Sequence, residues 1–470
     1  MIRQRYTYLL TAIVGVGFAL RAWLVLGPFS QTGFAWDLST FADWMMVIDQ
    51  SGSDAYSVDP SINYPPVFAQ LLQLLNVVGG TLPCCSNPAM GDGAWKLLKW
   101  LPVLADVGVA LLLAYAGRRW YSRATALWAA GLYLFIPVTW YDSAIWGQMD
   151  SVAALPMLAS LILLAARKPE WSAALFIAGL LTKPQAILIV IVIAPFLLGL
   201  VLRRELPWWR IGTTIVAGLA AFALLVNRWS LTVYVDGGLK DIPVLGNLVG
   251  AANQYLSTAN LFPYMSVNAY NPWALAGVPS MASQFQNRQV SWTTDNYQIL
   301  GVSAHWVGLA LFALVCAAVV VVLLRQTDPH TLFMAAAVVL VAFFVVMTRV
   351  HERYLVHAFA VLALVWATTI RRRIAVVALG VANWANLHAI LVGGIQISTN
   401  IIGEPPAEAK YPHNGAPPEM YGLGWPGLPS LGTLNSVVVI LVIATVTAAL
   451  AMLLVELLGS RHQTESESSL

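Results

Sequence analysis

Apolar runs about as long as a bilayer is thick recur along the whole chain, separated by short polar stretches. A helix needs roughly 20 apolar residues to cross the hydrocarbon core. Runs such as residues 309–324 do not alternate between apolar and polar positions, as membrane β-strands do. The pattern therefore predicts an all-α, polytopic helical membrane protein. We predict twelve spans, near residues 7–27, 96–116, 124–140, 150–166, 171–182, 186–202, 209–226, 303–324, 331–348, 354–370, 374–395 and 435–458.

The composition supports this class. The chain has 470 residues, of which 59% are hydrophobic and 10% are charged. A soluble protein of this length could not cover its surface with so few charges. Three cysteines cannot form a disulfide framework. Cys84 and Cys85 are adjacent, so a bridge between them would be strained, and their oxidation state stays open.

Basic residues collect on one side of the twelve-span layout. Cytoplasmic loops of membrane proteins are enriched in Lys and Arg, and the longer loops of the other side hold fewer of them. We therefore expect both termini in the cytoplasm and a retained first span, because no small-residue cleavage site is evident. The basic residues on the inner side are Arg3, Arg5, Arg118, Arg119, Arg123, Arg167, Lys168, Arg203, Arg204, Arg210, Arg325, Arg371, Arg372, Arg373 and Arg461.

One further apolar run, residues 67–82, is treated differently. Counting it as a span would move Arg371, Arg372 and Arg373 to the outside. We therefore place it in the outer interface as an amphipathic helix. A second interfacial helix is predicted over residues 39–49. Its apolar face would hold Phe41, Trp44, Met45 and Ile48.

Four polar clusters fall on the outer side of this layout. They are an acidic loop within residues 34–68, the turn 141–150, the break 182–185 and the segment 349–354. Irregular backbone at membrane depth is tolerated only where it lines a cavity or is buried in protein. The break at Thr182-Lys183-Pro184-Gln185 fits that rule.

Each cluster has a plain interpretation beside a functional one. Asp43, Asp49 and Asp54 are best explained as solvated carboxylates. For Asp37 a functional role stays open, because it follows the first span directly and stands beside Trp36.

The basic residues are ambiguous in the same way. Lys183 either extends to the interface or belongs to a site. The segment His351-Glu352-Arg353 is either a local ion pair or a site.

Charges inside the spans are expected to be paired, because an unpaired charge there is costly. Arg21 and Asp106 lie at similar depth, so we predict a structural pair, with a site role for Arg21 left open. Asn383, Asn386 and His388 are predicted to form hydrogen bonds between helices.

These residue types suit one kind of chemistry. A carboxylate can accept a proton from an acceptor hydroxyl. Fixed cations can hold a phosphate and stabilise the charge that grows on it as it leaves. Trp and Tyr offer flat faces to sugar rings. A phosphate-linked sugar on a lipid would fit this set, and no Gly-rich phosphate loop or Rossmann pattern is present in the sequence.

Five short motifs occur in a fixed order over roughly residues 30–360. They are Tyr64-Pro65-Pro66, Trp146-Gly147-Gln148-Met149-Asp150, Lys183-Pro184-Gln185, Asn268-Ala269-Tyr270-Asn271-Pro272-Trp273 and His351-Glu352-Arg353-Tyr354. In this order the chain resembles the GT-C glycosyltransferases, and it is most similar to bacterial and archaeal proteins related to GPI mannosyltransferase II. It resembles the dolichyl-phosphate-glucose transferases of N-glycan assembly more distantly.

The resemblance implies the GT-C fold, with about twelve transmembrane helices and long outer loops. It implies one integrated membrane domain with a catalytic module over residues 1–226 and a variable module over residues 227–470. The first outer loop would cover residues 28–95, and outer caps would cover residues 227–302 and 396–434.

The resemblance also implies an inverting transfer from a polyprenyl- or dolichyl-phosphate sugar to a glycan or glycolipid at the extracytoplasmic face of the cell membrane. Asp37 would be the general base, and His351, Arg353 and Lys183 would bind the donor phosphate. The residues expected to line the sugar and acceptor site are Tyr64, Trp146, Gln148, Asp150, Gln185, Glu352, Asn268 and Asn271.

Mannose is the expected sugar, and glucose or another hexose is the alternative. The glucosyltransferases often carry an acid before Tyr-Pro-Pro, and here that position is Asn63. No metal, cofactor or nucleic-acid partner is expected, and the acceptor stays open.

A transporter or lipid flippase is the alternative of a different class. It should show charges near the middle of several spans and two-fold repeats, whereas the polar residues here gather at one surface and no repeat is visible in the sequence. A catalytically inactive scaffold is a third hypothesis.

Overall fold

A computed structural model describes residues 2–27, 29–30, 32–80, 92–235, 237–242, 244–275, 294–393 and 436–459. The helices in these ranges are α1 (Ile2–Leu26), α2 (Ala35–Ser51), α3 (Ala55–Val58), α4 (Pro66–Gly80), α5 (Asp92–Trp120), α6 (Arg123–Phe135), α7 (Pro137–Trp140), α8 (Asp150–Ala165), α9 (Pro169–Leu180), α10 (Val190–Leu202), α11 (Trp209–Val226), α12 (Leu245–Asn260), α13 (Ala304–Arg325), α14 (Pro329–Val346), α15 (Val356–Val365), α16 (Ile370–Gly393) and α17 (Ser436–Gly459). A short antiparallel hairpin joins β1 (Gln298–Ile299) to β2 (Val302–Ser303).

The helices confirm the coarse prediction of an all-α, polytopic membrane protein. Among the described residues, eight helices are long and apolar enough to cross a membrane. They are α1, α5, α10 with the 3₁₀ turn Pro184–Ile189 before it, α11, α13, α14, α16 and α17. A bent pair formed by α6 and the segment Pro137–Trp146 would be a ninth.

Each of the twelve predicted spans coincides with a helix or with such a bent pair, but three of the helices are short. Helices α8, α9 and α15 have 16, 12 and 10 residues. At 1.5 Å per residue, twelve residues cover only about 18 Å. The hydrocarbon core is roughly 30 Å thick, so the count of twelve stays a prediction.

The predicted helices of the first outer segment are present as α2 and α4. The apolar face predicted for α2, with Phe41 and Met45 among its members, is buried. It packs against Phe68 and Leu72 of α4 inside the protein. The helical prediction is therefore confirmed, and this apolar face is covered by protein.

Helices α14 and α15 occupy the centre of the bundle. Every residue of α15 is buried, and α15 packs on α5, α6, α8 and α14. A helix that is apolar on all sides belongs in such a place. The polar segment 349–354 is therefore followed closely by a helix that is buried on all sides and begins at Val356.

The predicted ion pair inside the spans is confirmed. Arg21 Nε lies 2.7 Å from Asp106 Oδ2, and both side chains are almost fully buried. Asp106 also accepts hydrogen bonds from Tyr133 and Ser143, at 2.9 and 2.6 Å. Arg21 donates to the carbonyl of Leu134 at 2.9 Å. The pair is thus embedded in a network that satisfies both charges, as a structural pair requires.

The polar side chains of α16 link that helix to neighbouring loops. Asn383 donates to the carbonyl of Glu352 at 2.8 Å, and His388 Nδ1 shares a hydrogen bond of 2.8 Å with Tyr141. Asn386 donates to the carbonyl of Asn268 at 2.8 Å. All three side chains form hydrogen bonds as predicted, but Asn383 and Asn386 bond to loop carbonyls and not to another helix, so the prediction of helix-to-helix bonds was wrong for these two.

Several predicted features lie outside the described residues. These are Cys84 and Cys85, the cap 396–434 and part of the cap 227–302. Cys316 lies in α13, is half-buried and packs against the core.

Candidate active site

The turn between α7 and α8 is the centre of the candidate site. After Trp140 the chain forms a π-helical turn, Tyr141–Trp146, and the carbonyl of Asp142 then accepts hydrogen bonds from the amides of Gly147 and Gln148, both at 3.0 Å. Gly147 has φ +86°, and a Cβ there would come within 2.6 Å of Leu38. The glycine therefore allows both the reversal and the close packing on α2. Such π turns frequently occur at functional sites.

The turn holds the predicted base, Asp37. This residue stands in the first turn of α2, and its Oδ2 accepts hydrogen bonds from Trp146 Nε1 at 2.9 Å and Gln148 Nε2 at 2.7 Å. Its Oδ1 accepts no hydrogen bond from any residue in the described ranges, and the side chain is partly exposed. Phe34 stacks on Trp146 with ring centroids 4.7 Å apart. One carboxylate oxygen of Asp37 is thus fixed, and the other is available to a ligand.

Gln148 joins three of the predicted motifs. Its amide nitrogen donates a hydrogen bond to Asp37. Its Oε1 accepts hydrogen bonds from the Tyr64 hydroxyl and the Lys183 ammonium, each at 3.4 Å. The backbone amide of Met149 donates to the same oxygen at 3.0 Å. Because both ends of the Gln148 amide are occupied, its orientation is set. Residues far apart in the sequence therefore converge on this side chain.

Lys183 is paired with Asp150. The Nζ atom lies 2.6 Å from Asp150 Oδ1, and neither side chain is more than 1% exposed. Burial alone would lower the pKa of Lys183, but the charge of Asp150, the Tyr64 phenol and the hydrogen bond to Asp150 together raise it. The ammonium also lies 5.7 Å from the centroid of the Tyr64 ring. Lys183 therefore remains charged, and its position supports Gln148 and Tyr64.

The segment between α14 and α15 supplies a cation near Asp37. Arg353 Nη1 donates to Glu352 Oε1 at 2.8 Å. Burial lowers the pKa of Arg353, but the charges of Asp37 and Glu352 outweigh burial and raise it well above its ordinary value. The charge of Asp37 therefore acts on Arg353. Asp37 and Arg353 are therefore close enough for their charges to interact.

His351 is almost fully buried beside that cation. Burial, together with the charges of Arg353 and Lys183, lowers the pKa of His351 well below its usual 6.5. The imidazole is therefore neutral at pH 7. The same environment acts on Glu352, because burial outweighs the effect of Arg353 and raises the pKa of Glu352.

The remaining predicted site residues have different surroundings. Asn268 has φ +64° and bridges to His351 through the backbone. Asn271 donates to the carbonyls of Phe344 and Met347, so its amide holds the end of α14. Through these contacts both asparagines support the backbone of the segment 349–354 and the helix end before it. Gln185 is half-buried, and its Oε1 has no hydrogen-bond partner among the described residues.

Many buried polar atoms around this site have no partner within the described part of the chain. A buried polar atom left unpaired costs about 1–3 kcal/mol, and more than about 90% of such groups are paired in native proteins. The unpaired atoms at the site are Asp142 Oδ1 and Oδ2, Asp150 Oδ2, Gln185 Oε1, Glu352 Oε2 and Arg353 Nε. These polar groups can form hydrogen bonds with water or a ligand.

Two residues of this region were not predicted as site residues from the sequence. His357, on α15, has Nε2 3.3 Å from Asp150 Oδ1. It lies four residues after Arg353 in the sequence, and that closeness was the available signal. Asp142 is fully buried inside the π turn. Its only signal was its place in the polar cluster 141–150.

The arrangement can carry out acid–base and phosphate chemistry. It combines a carboxylate with one free oxygen, a guanidinium, a neutral imidazole and a paired ammonium. No group of three or more His, Cys, Asp or Glu residues in the described ranges is suited to hold a metal ion.

No protein-family model matches the chain, and no curated protein matches its sequence.

Proposed function

We propose that this chain is an integral-membrane glycosyltransferase of the GT-C type. It moves a hexose, with mannose as the first candidate, from a polyprenyl- or dolichyl-phosphate donor to a hydroxyl of a glycan or glycolipid. The observation that carries the proposal is the state of Asp37. One oxygen is held by Trp146 and Gln148, the other is unoccupied by protein, and the charge acts on Arg353.

In this mechanism the free oxygen of Asp37 takes the proton of the acceptor hydroxyl. The acceptor oxygen attacks the anomeric carbon, and the bond from that carbon to the phosphate oxygen breaks with its electron pair going to the phosphate. Arg353 stabilises the charge that grows on the leaving polyprenyl phosphate. His351 is neutral and donates a hydrogen bond to it. Attack from the face opposite the phosphate inverts the anomeric centre.

Lys183 has a supporting role in this scheme. Its ammonium is paired with Asp150 and touches Gln148, so it stabilises the residue that orients Asp37. It contributes positive charge to the phosphate site over a longer distance. Tyr64, which is partly exposed, supplies aromatic surface next to the reacting sugar. Trp146 is fully buried, so its role is to hold Asp37 rather than to contact the sugar.

An apolar cavity beside the site supports a lipid-borne donor. It has a volume of about 860 Å³ and is bounded by α9, α10, α11 and α12. Its wall includes Leu181, two residues before Lys183. The carbonyl of Leu181 accepts the amide of Val67 at 2.8 Å, which brings the end of the Tyr64-Pro65-Pro66 motif alongside. A polyprenyl tail in this cavity would enter from the bilayer and leave its phosphate near the polar cluster.

The experiment is donor turnover by the purified protein in lipid nanodiscs. A panel of radiolabelled polyprenyl-phosphate sugars, with mannose and glucose first, is offered with glycolipid acceptors. Asp37→Asn keeps the shape of the side chain but removes the base, so transfer should fall about 10²- to 10⁴-fold. Asp49→Asn makes the same change at an exposed position of the same helix and should leave transfer unchanged.

The outcomes separate the competing functions. Transfer by Asp37→Asn at the rate of Asp49→Asn would refute the assignment of the base. Movement of an intact lipid across the bilayer, with no new glycosidic bond, would identify a flippase instead. Arg353→Ala should impair donor use more than acceptor use, and equal losses would contradict its phosphate role.

A further inference from the structure

A second apolar groove lies away from the candidate site, between α1, α6 and α16. Its volume is about 550 Å³, and Ile13, Trp128, Gly131 and Val377 are among its walls. The groove follows α6 from Ala124 to Ile136, a length of about 18 Å at 1.5 Å per residue. A Cβ at Gly131 would have its nearest neighbour 4.0 Å away, so the glycine keeps the middle of the groove open.

A cation stands at one end of this groove. The guanidinium carbon of Arg373 lies 4.3 Å from the centroid of the Trp128 ring. Arg373 is one helical turn before Val377 on α16, so both lie on the face of α16 that borders the groove. Arg373 Nε donates to the carbonyl of Ala367 at 2.7 Å. Within the described ranges, Arg373 forms no salt bridge, and its two Nη atoms donate to no protein atom.

The neighbours of Arg373 make this end strongly basic. Arg371 is exposed, and Arg123, also exposed, is the first residue of α6 and precedes Ala124 of the groove wall. Arg372 differs, because its Nε donates to Glu456 at 2.9 Å. The protein therefore uses Arg372 for an internal ion pair and leaves Arg373 available at the edge of the groove.

We infer that this groove binds an anionic phospholipid from the leaflet on the arginine-rich face. One acyl chain lies along α6, from Ala124 toward Ile136, and the lipid phosphate accepts hydrogen bonds from the Nη atoms of Arg373. The guanidinium fork of Arg373 matches the geometry of the lipid phosphate. The surrounding positive charge favours a lipid whose headgroup carries a net negative charge. The guanidinium lies over the ring of Trp128, and this cation–π contact orients it. The inference stands apart from the proposed function, since it uses none of the residues of the candidate site.

The test measures bound lipid directly. The protein is reconstituted with equal amounts of phosphatidylglycerol and phosphatidylcholine, extracted gently, and examined by native mass spectrometry for retained lipids. The wild-type protein should retain phosphatidylglycerol in preference to phosphatidylcholine. Arg373→Gln should lower phosphatidylglycerol retention about fivefold, as expected for one basic residue at an anionic surface. Gly131→Leu should lower it similarly by filling the groove.

Arg325→Gln is the matched control, because it removes the same charge from an exposed residue at the end of α13, a helix that does not line the groove. It should retain phosphatidylglycerol like the wild type. Equal retention of both lipids by the wild-type protein would overturn the inference. So would equal losses in Arg373→Gln and Arg325→Gln. If Arg373→Gln fails to yield monodisperse protein, the wild-type lipid preference and Gly131→Leu decide the result.

Discussion

The pair Lys183–Asp150 allows a quantitative test of how the site is held together. Neither side chain is more than 1% exposed, and the charged atoms are 2.6 Å apart. Lys183→Met keeps most of the apolar stem but leaves the Asp150 carboxylate buried without its main partner. Breaking a buried pair in this way costs about 3–5 kcal/mol. At roughly 2 °C per kcal/mol for a large protein, the apparent Tm should fall by about 6–10 °C.

The double variant Lys183→Met/Asp150→Asn should recover most of that loss. Replacing both members of a buried pair is often close to neutral, because no charge is left uncompensated. The assay is thermal unfolding of the four proteins of the cycle, followed by intrinsic fluorescence at one fixed scan rate, because unfolding of a membrane protein is often irreversible. The cycle gives the coupling between the two residues without assuming what each contributes alone.

One result would refute this reasoning. Suppose that Lys183→Met unfolds at the wild-type temperature but raises the KM for a polyprenyl-phosphate sugar. Lys183 would then be free of Asp150 in the working protein and would contact the donor phosphate itself. The observed burial predicts the opposite order of effects, with loss of stability as the primary one.

The remaining predictions concern the structural pair and the neighbours of the base. Arg21→Met should lower the apparent Tm by a similar amount but leave transfer per folded molecule unchanged, because the hydrogen bonds of Arg21 and Asp106 in the described ranges include none to Asp37; a selective loss of transfer would contradict this. Gln148→Met should reduce kcat about 10- to 100-fold by removing one charged hydrogen bond to Asp37, and an unchanged kcat would show that Trp146 alone orients it.

The last of this group concerns pH. Because the pKa of His351 is lowered well below 6.5 in the folded protein, the unfolded chain binds the proton more readily, and stability should fall as the pH falls below about 6.5. His351→Asn should show a smaller drop in Tm between about pH 7.5 and about pH 5, and an equal drop in both proteins would contradict it.

The elements of this fold could largely be predicted from the sequence. Apolar length locates the spans, and a period of 3.6 residues identifies the buried face of α2. The bend between α6 and α7 is also local in origin. Pro137 holds Ile136 in an extended conformation, with φ −61° and ψ 129°, as residues before proline prefer. The end of α15 was less accessible, because this helix stops at Val365 although the apolar run continues through Ala367.

The partners of the site residues could not be predicted from the same signals. Nothing local states that Gln148 bridges Asp37 and Lys183, or that Asp150 neutralises Lys183. Those contacts depend on how α2, α8 and the break after α9 pack together. His357 was missed for a related reason. A single histidine in an apolar helix looks like a packed residue until its neighbour, here Asp150, is known.

The distribution of satisfied and unsatisfied polar atoms argues for chemistry at one surface over transport through the bundle. A transport path needs polar groups that can exchange partners along the depth of the membrane. Here the buried pair in the spans, Arg21–Asp106, is saturated by protein donors and acceptors. Asp142, Asp150 and Glu352 instead keep buried carboxylate oxygens without a hydrogen-bond partner in the described ranges. Keeping such atoms unpaired is costly, and a polar substrate or ordered water at the site of Asp37 can relieve that cost.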